Sequence, residues 1–217
     1  MTSSGPGWPR LRRTRGCACR RGNVIAPPVD SALWRAVADL DALKVRWALI
    51  GGLAVSIRSV PRFTKDLDFA IAVANDSEAE DVVHQLRGRG YHPAEILEQE
   101  YVERLSGVRL ERNGSDVIMD LLFASSGIEN EVVASATRLE VLPQLSAPVA
   151  TTGHLIALKT LAGRNQDLAD LGLLIPAASA ADIDEAREAV RLIHVRGFNR
   201  EQDVAADLDK LLSELGR

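Results

Sequence analysis

Asp66 and Asp68 stand one residue apart at the head of an otherwise apolar stretch, DLDFAIAV, which runs to Val73. In a strand, residues i and i+2 share a face. The two carboxylates then point together, Ala70 and Ala72 continue their side, and Leu67, Phe69, Ile71 and Val73 take the core side. Two carboxylates that close raise one another's pKa. A hard divalent cation removes the conflict, and Mg²⁺ accepts a few carboxylates while keeping room for water and phosphate oxygens. A two-metal phosphoryl-transfer site calls for a third acid. Asp120 is the candidate, because it is isolated in the apolar segment DVIMDLLFA, where a lone charge is costly without a partner. Strand pairing of that segment beside the Asp66 segment would bring three acids together.

Gly51-Gly52 supplies the other half of such a site. It lies between a short apolar strand, Trp47 to Ile50, and a short helix, Leu53 to Ser59. Glycine lets the backbone come close to a phosphate, and a helix N-terminus offers N–H groups and a positive dipole end. A plain tight turn is the other reading of the pair. Arg62-x-Thr64 separates the turn from the acids; Arg62 is either a phosphate ligand or a structural ion-pair partner of Asp66 or Asp68.

The elements that must hold these residues are legible from periodicity. Leu33, Trp34, Val37 and Leu40 follow helical spacing from Ser31 to Leu43, with Asp30 as N-cap and Trp34 and Trp47 in the core. Asn75-Asp76-Ser77 opens a helix to about Gly88 that turns Val82, Val83 and Leu86 inward. Residues 99 to 123 read as antiparallel strands around the hairpin signal Asn113-Gly114. A helical turn over Asn130 to Ala136 and a strand at Val141-Leu142 follow, and Pro148 opens a linker. Thr151-Thr152 caps a helix that Gly163 divides, its second piece reaching Leu174. IPAASAADID reads as a loop, then helices run over Asp182 to Ile193 and from Asn199 or Arg200 to Leu215, with Asn199 and Gln202 as a capping box. The expected fold class is α+β: a small mixed or antiparallel sheet flanked by helices over residues 30–150, then a helical subdomain over 151–217. Residues 1–29 read as a disordered basic tail.

Charge and composition narrow the function. The first 22 residues hold six of the 26 basic residues and none of the 30 acidic ones, so the body is acidic. An acidic body is no general nucleic-acid sponge; any polyanion must be held locally, by a cleft or a metal. No apolar run approaches the roughly 18 residues a membrane span needs. The two cysteines, Cys17 and Cys19, make neither a disulfide framework nor a complete zinc site. A cytoplasmic location is expected. The four histidines form no ligand pattern, and aromatics at 4% leave little for base stacking.

The stretch GGLAVSIRSVPRFTKDLDFAI resembles the signature of minimal nucleotidyltransferases of the DNA polymerase β-like superfamily, most closely the AbiEii toxin family: Gly-Gly, a helix, Arg-x-Thr, then Asp-hydrophobic-Asp. HLIALKTLAGRNQDLADLGLL is similar to the family's helix-borne Lys, basic residue and Asp-x-x-Asp, matched by Lys159, Arg164, Asp167 and Asp170, with Gln166 where the family often has Arg or Lys. The likeness implies transfer of a nucleoside monophosphate from an NTP to an acceptor, with two Mg²⁺ ions held by Asp66, Asp68 and Asp120. It implies that Gly51, Gly52 and Ser56 touch the β and γ phosphates, that Arg62, Thr64 and Arg164 join the nucleotide site, that Lys159 neutralises phosphate charge, and that Asp167 orients Lys159. It implies RNA, at the tRNA 3′ end, as acceptor and a cognate antitoxin as partner. A small-molecule nucleotidyltransferase of the aminoglycoside-modifying kind and a non-catalytic nucleotide-binding protein are the alternatives. Plainer roles stay open for the helical residues: Lys159 and Asp167 can share a solvated helix face, and Asp170 can pair with Arg164.

Overall fold

The computed structural model describes residues 27–99 and 104–217; the expected basic tail lies outside them, apart from its last three residues. In chain order the elements are α1 (Pro27–Leu43), β1 (Arg46–Leu49), α2 (Gly51–Arg58), β2 (Leu67–Ala72), α3 (Asp76–Arg87), β3 (Tyr91–Gln99), β4 (Arg104–Arg112), β5 (Ser115–Leu122), α4 (Glu129–Ser135), β6 (Thr137–Leu142), β7 (Leu145–Val149), α5 (Thr152–Ala162), α6 (Asn165–Ala177), α7 (Ala180–Val195) and α8 (Val204–Glu214). The fold class is the expected α+β. Seven strands form one mixed sheet in the order β3-β4-β5-β2-β1-β7-β6.

Three local choices place the functional residues. First, β2 runs antiparallel to β1 and parallel to β5, in a register that sets Asp68 opposite Asp120. Leu67, Phe69 and Ile71 are fully buried beneath that surface, and Phe69 meets Trp47 edge to face at 5.4 Å. The alternation read from the sequence therefore fixes the side that Asp68 takes, whereas Asp66, expected on the same strand face, precedes β2. Second, Gly114 with φ +77° closes the β4–β5 hairpin, where Asn113-Gly114 predicted it. Third, Gly163 ends α5 in the left-handed conformation, its N–H bonded to the Lys159 carbonyl. The sharp turn there brings the last turn of α5 against the first turn of α6.

Several expectations need correction. α1 begins at Pro27, so Asp30 sits in its first turn rather than at its cap; proline suits the first helical positions, where an N–H is unneeded. Trp34 is 44% exposed, because Leu33, Ala36, Val37 and Leu40 form the buried stripe and Trp34 lies to its side. Pro148 opens no linker: it lies inside β7, opposite Arg138 of β6. β3 already begins at Tyr91. The loop expected over IPAASAADID shrinks to Ala178-Ser179, since α6 runs on to Ala177 and Ser179 caps α7 through its hydroxyl. Asn199 does not cap the last helix. Asp203 does, accepting from the Ala206 N–H at 3.1 Å, while the Asn199 amide donates to the Gln202 carbonyl. Caps at Asn75 and Thr151 stand as expected.

The buried apolar residues of the sheet, such as Leu49, Phe69 and Leu121, and those of the helical half, such as Leu155, Leu171 and Ile193, belong to one contiguous cluster. Among the described residues, no helix is long and apolar enough to cross a membrane.

Candidate active site

A cavity of about 280 Å³ opens where the N-terminus of α2 meets the centre of the sheet. Its acidic wall is Asp68 and Asp120. The facing wall carries Lys159, Arg164, Asp167 and Arg200, and leucines 97, 122, 155, 158 and 161 supply the apolar part.

Asp68 is the strongly perturbed acid of this site. Burial, then the charges of Asp120 and Asp66, push its carboxyl up to about 6 against the opposing pull of Lys159. The Gly52 backbone N–H donates to it and favours its charged form. Gly51 explains the closeness. Its φ is +63°, and a β-carbon there would lie 1.9 Å from Asp68 Oδ2. A side chain is thus excluded twice, by backbone conformation and by the carboxylate pressed against the turn. At Gly52 a β-carbon would meet the Arg62 guanidinium at 2.4 Å. The glycine pair lets Asp68 and Arg62 approach the start of α2, and Gly51 also lines the cavity.

Behind the basic wall lies a closed ion network. Lys159 Nζ lies 2.7 Å from Asp167 Oδ1 and 2.9 Å from Asp170 Oδ2. Asp170 is fully buried and also takes Arg62, with Nε 2.7 Å from Oδ1 and Nη2 2.8 Å from Oδ2. Arg164 closes on Asp167 through Nε at 2.6 Å and through its backbone N–H at 3.2 Å. Burial raises the Asp167 pKa, but the hydrogen bonds from Arg164 and Lys159 outweigh it, and the net shift is downward.

The sequence-predicted residues therefore separate into two sets. Gly51, Asp68, Asp120, Lys159, Arg164 and Asp167 meet at the cavity. Gly52, Ser56, Arg62, Thr64 and Asp66 are not among its lining. Ser56 is buried, its hydroxyl shared between the Gly52 carbonyl and the Arg62 backbone. Arg62 pairs with neither Asp66 nor Asp68 but with Asp170, 108 residues away. Thr64 donates weakly to the Asp66 carbonyl at 3.4 Å. Lys159 and Asp167 share no solvated face: both are buried in direct contact. Asp170 pairs with Arg62 and Lys159, not with Arg164.

Two charged cavity residues were missed. Arg109, on β4, holds Asp120 through a two-pronged fork, Nε to Oδ1 and Nη2 to Oδ2, both at 2.9 Å. Its signal was alternation within β4, usable once the hairpin register was known. Arg200 donates to the carbonyl and hydroxyl of Ser125 at 3.2 Å. Desolvation, then repulsion by Arg164, lowers its pKa. Arg200 and Glu201 both take positive φ without the glycine or asparagine that would have announced it.

A family model described as "Nucleotidyl transferase AbiEii toxin, Type IV TA system" matches residues 32–215. The chain belongs to this family. The match extends the earlier likeness through α7 and into α8, so Arg200 falls inside it. No curated protein matches the sequence. Among solved structures, an antigenic nucleotidyltransferase-like protein from Paracoccidioides brasiliensis is similar at 17% identity over 85% of this chain and 93% of that one, with a TM-score of 0.49. A putative nucleotidyltransferase from Thermotoga maritima is similar at 16% identity over 69% and 93%, TM-score 0.49. MenT4, a nucleotidyltransferase toxin from Mycobacterium tuberculosis, is similar at 15% identity over 86% and 92%, TM-score 0.38. The family assignment rests on the sequence match.

The site's donor set suits a hard cation. Asp68 and Asp120 offer hard oxygen donors at adjacent register positions, and burial, then the charges of Asp120 and Asp66, hold the Asp68 carboxyl above the usual carboxylate range. Among the described residues, no three such side chains are already gathered tightly enough to hold an ion; Asp120 is turned to Arg109.

Proposed function

We propose that this protein transfers a nucleoside monophosphate from an NTP to a hydroxyl of RNA, at the 3′ end of tRNA, as the toxin of a type IV pair. The observation that carries the reading is the meeting of Asp68 and Asp120 in one cavity, faced by Lys159, Arg164 and Arg200. An acidic wall opposite a basic one is what a metal-bound triphosphate requires.

Asp68, Asp66 and Asp120 would hold Mg²⁺, two ions in the fullest form. Once bound, Mg²⁺ supplies charge neutralisation on the triphosphate and eases loss of the hydroxyl proton. The rest is work for the chain's own groups. The acceptor oxygen forms a bond to the α-phosphorus, the bond to the bridging oxygen breaks, and pyrophosphate leaves with its electron pair. Asp120 receives the acceptor proton. Lys159, fixed by Asp167 and Asp170, faces the charge that grows on the departing phosphates. Arg164 and Arg200 extend that basic wall. Gly51 sets Asp68 in place, and Ser56, Arg62 and Thr64 brace the segment between turn and acids rather than touching phosphate. The nucleobase lies against the leucine wall. A cytoplasmic site of action and a protein antitoxin belong to the same reading.

The test is incubation with each labelled NTP, Mg²⁺ and total tRNA, comparing the parent with Asp68→Ala. Label enters RNA with the parent and not with the variant. Label found in an aminoglycoside instead would install the small-molecule reading, and NTP binding without transfer to any acceptor would install the non-catalytic one. Growth arrest on expression, lost in Asp68→Ala, supports the toxin role.

A further inference from the structure

Four side chains form one row across four neighbouring strands. Register pairs set Glu95 of β3 beside Arg109 of β4, Arg109 beside Asp120 of β5, and Asp120 beside Asp68 of β2. Paired positions share a face and bring side chains within contact distance. The charges along the row read minus, plus, minus, minus. Arg109 uses Nε and Nη2 on the two oxygens of Asp120, both at 2.9 Å, while its remaining nitrogen, Nη1, lies 3.6 Å from Glu95 Oε2.

Both oxygens of Asp120 are thus engaged by a cation that already belongs to the protein. A divalent ion approaching the same oxygens meets a guanidinium charge at close range, a like-charge conflict. The two cannot share Asp120 on equal terms. The fork is well formed, yet Arg109 is 40% and Asp120 19% exposed, so the pair is partly screened and of modest strength. Glu95, one strand further from the cavity, is half exposed and already within ion-pair reach. It offers the guanidinium a partner without moving the sheet.

We propose that Arg109 is a positioning residue that competes with the divalent cation for Asp120, and that Glu95 receives it when the cation enters. This rests on the reading of Asp68 and Asp120 as cation ligands. Without cation, Arg109 relieves the repulsion between the two acids; with cation, its displacement subtracts from the affinity. Cation entry is therefore linked to a swing of one arginine by one strand, and the strength of the fork sets the cation concentration at which the site fills.

The experiment is calorimetric titration of Mn²⁺ into the full chain without nucleotide, using the parent, Arg109→Gln, Arg109→Lys, Asp120→Asn and the pair Glu95→Gln with and without Arg109→Gln. Arg109→Gln binds Mn²⁺ about fivefold more tightly than the parent, the factor that about 1 kcal/mol of ion-pair competition produces. Arg109→Lys, which keeps the charge and loses the fork, falls between. Glu95→Gln weakens binding in the parent background and leaves it unchanged beside Arg109→Gln; an equal effect in both backgrounds would assign Glu95 to general charge and remove it from the proposal. Unchanged or weaker Mn²⁺ binding in Arg109→Gln, with Asp120→Asn still weakened, overturns the competition and spares the site. Parent-like binding in Asp120→Asn overturns the site itself.

Discussion

The acidic wall and the ion network behind the basic wall are built from the same residue types but are opposite in electrostatic state. In the network, Asp170 receives two cations and Asp167 two, and all of these pairs are within 3 Å. On the acidic wall, Asp68 has a backbone N–H and two acidic neighbours, and Asp120 has one partly exposed arginine. The closed set holds the fold. The unbalanced set is held in place by the fold at a cost, as groups awaiting a ligand are. Stability should therefore answer mainly to the closed set, and activity to both, because Lys159 belongs to the network and also lines the cavity.

The largest expected effect lies in the network. Asp170→Ala leaves Lys159 and Arg62 facing each other near a buried centre and should cost about 3–5 kcal/mol in urea unfolding; a loss below about 1 kcal/mol would mean that the network is not closed. Gly51→Ala comes next. Positive φ and the contact with Asp68 together should cost about 2–4 kcal/mol, and transfer activity should fall with it because Asp68 must move.

Asp68→Asn runs the other way. It should abolish transfer while raising stability near neutral pH by on the order of 1–2 kcal/mol, solvent at the cavity reducing the full value. The sign follows from linkage. The folded-state pKa, about 6, lies above the ordinary 3.8, so the parent's relative stability is greatest below about 4 and is lost as pH rises through about 6. The advantage of Asp68→Asn should grow across that window and level off above it. The smallest effect is Arg164→Gln, below about 1 kcal/mol, because the guanidinium is 76% exposed. Its consequence should appear in the KM for NTP rather than in unfolding.

Much of this was legible in the chain. Alternation in DLDFAIAV gave the face of Asp68, the isolation of Asp120 in an apolar segment gave its partner strand, and Gly163 gave the junction that meets Lys159 with Asp167. What escaped was the pairing of the arginines. Arg62 with Asp170 and Arg200 with Ser125 join residues far apart in sequence and are fixed by packing, for which neither composition nor spacing carries a signal, while Arg109 with Asp120 needed the hairpin register before alternation in β4 could place it. Pro148 misled because proline usually ends a strand, yet in β7 the ladder to β1 consists of the single pair Leu49 with Val149. The start of α7 was hidden because alanines fill the stretch around Ser179.

The site draws on Gly51 from the first part of the sequence, Asp120 from the middle, and Lys159, Asp170 and Arg200 from beyond it. A ribosome that has threaded out the glycine turn and the paired aspartates has not yet made the lysine, nor the helix whose carboxylates steady it. Under the proposed function this dispersal is a safeguard in time: an unfinished or clipped copy would lack one wall of the cleft, and harm would begin only when synthesis is well past its midpoint.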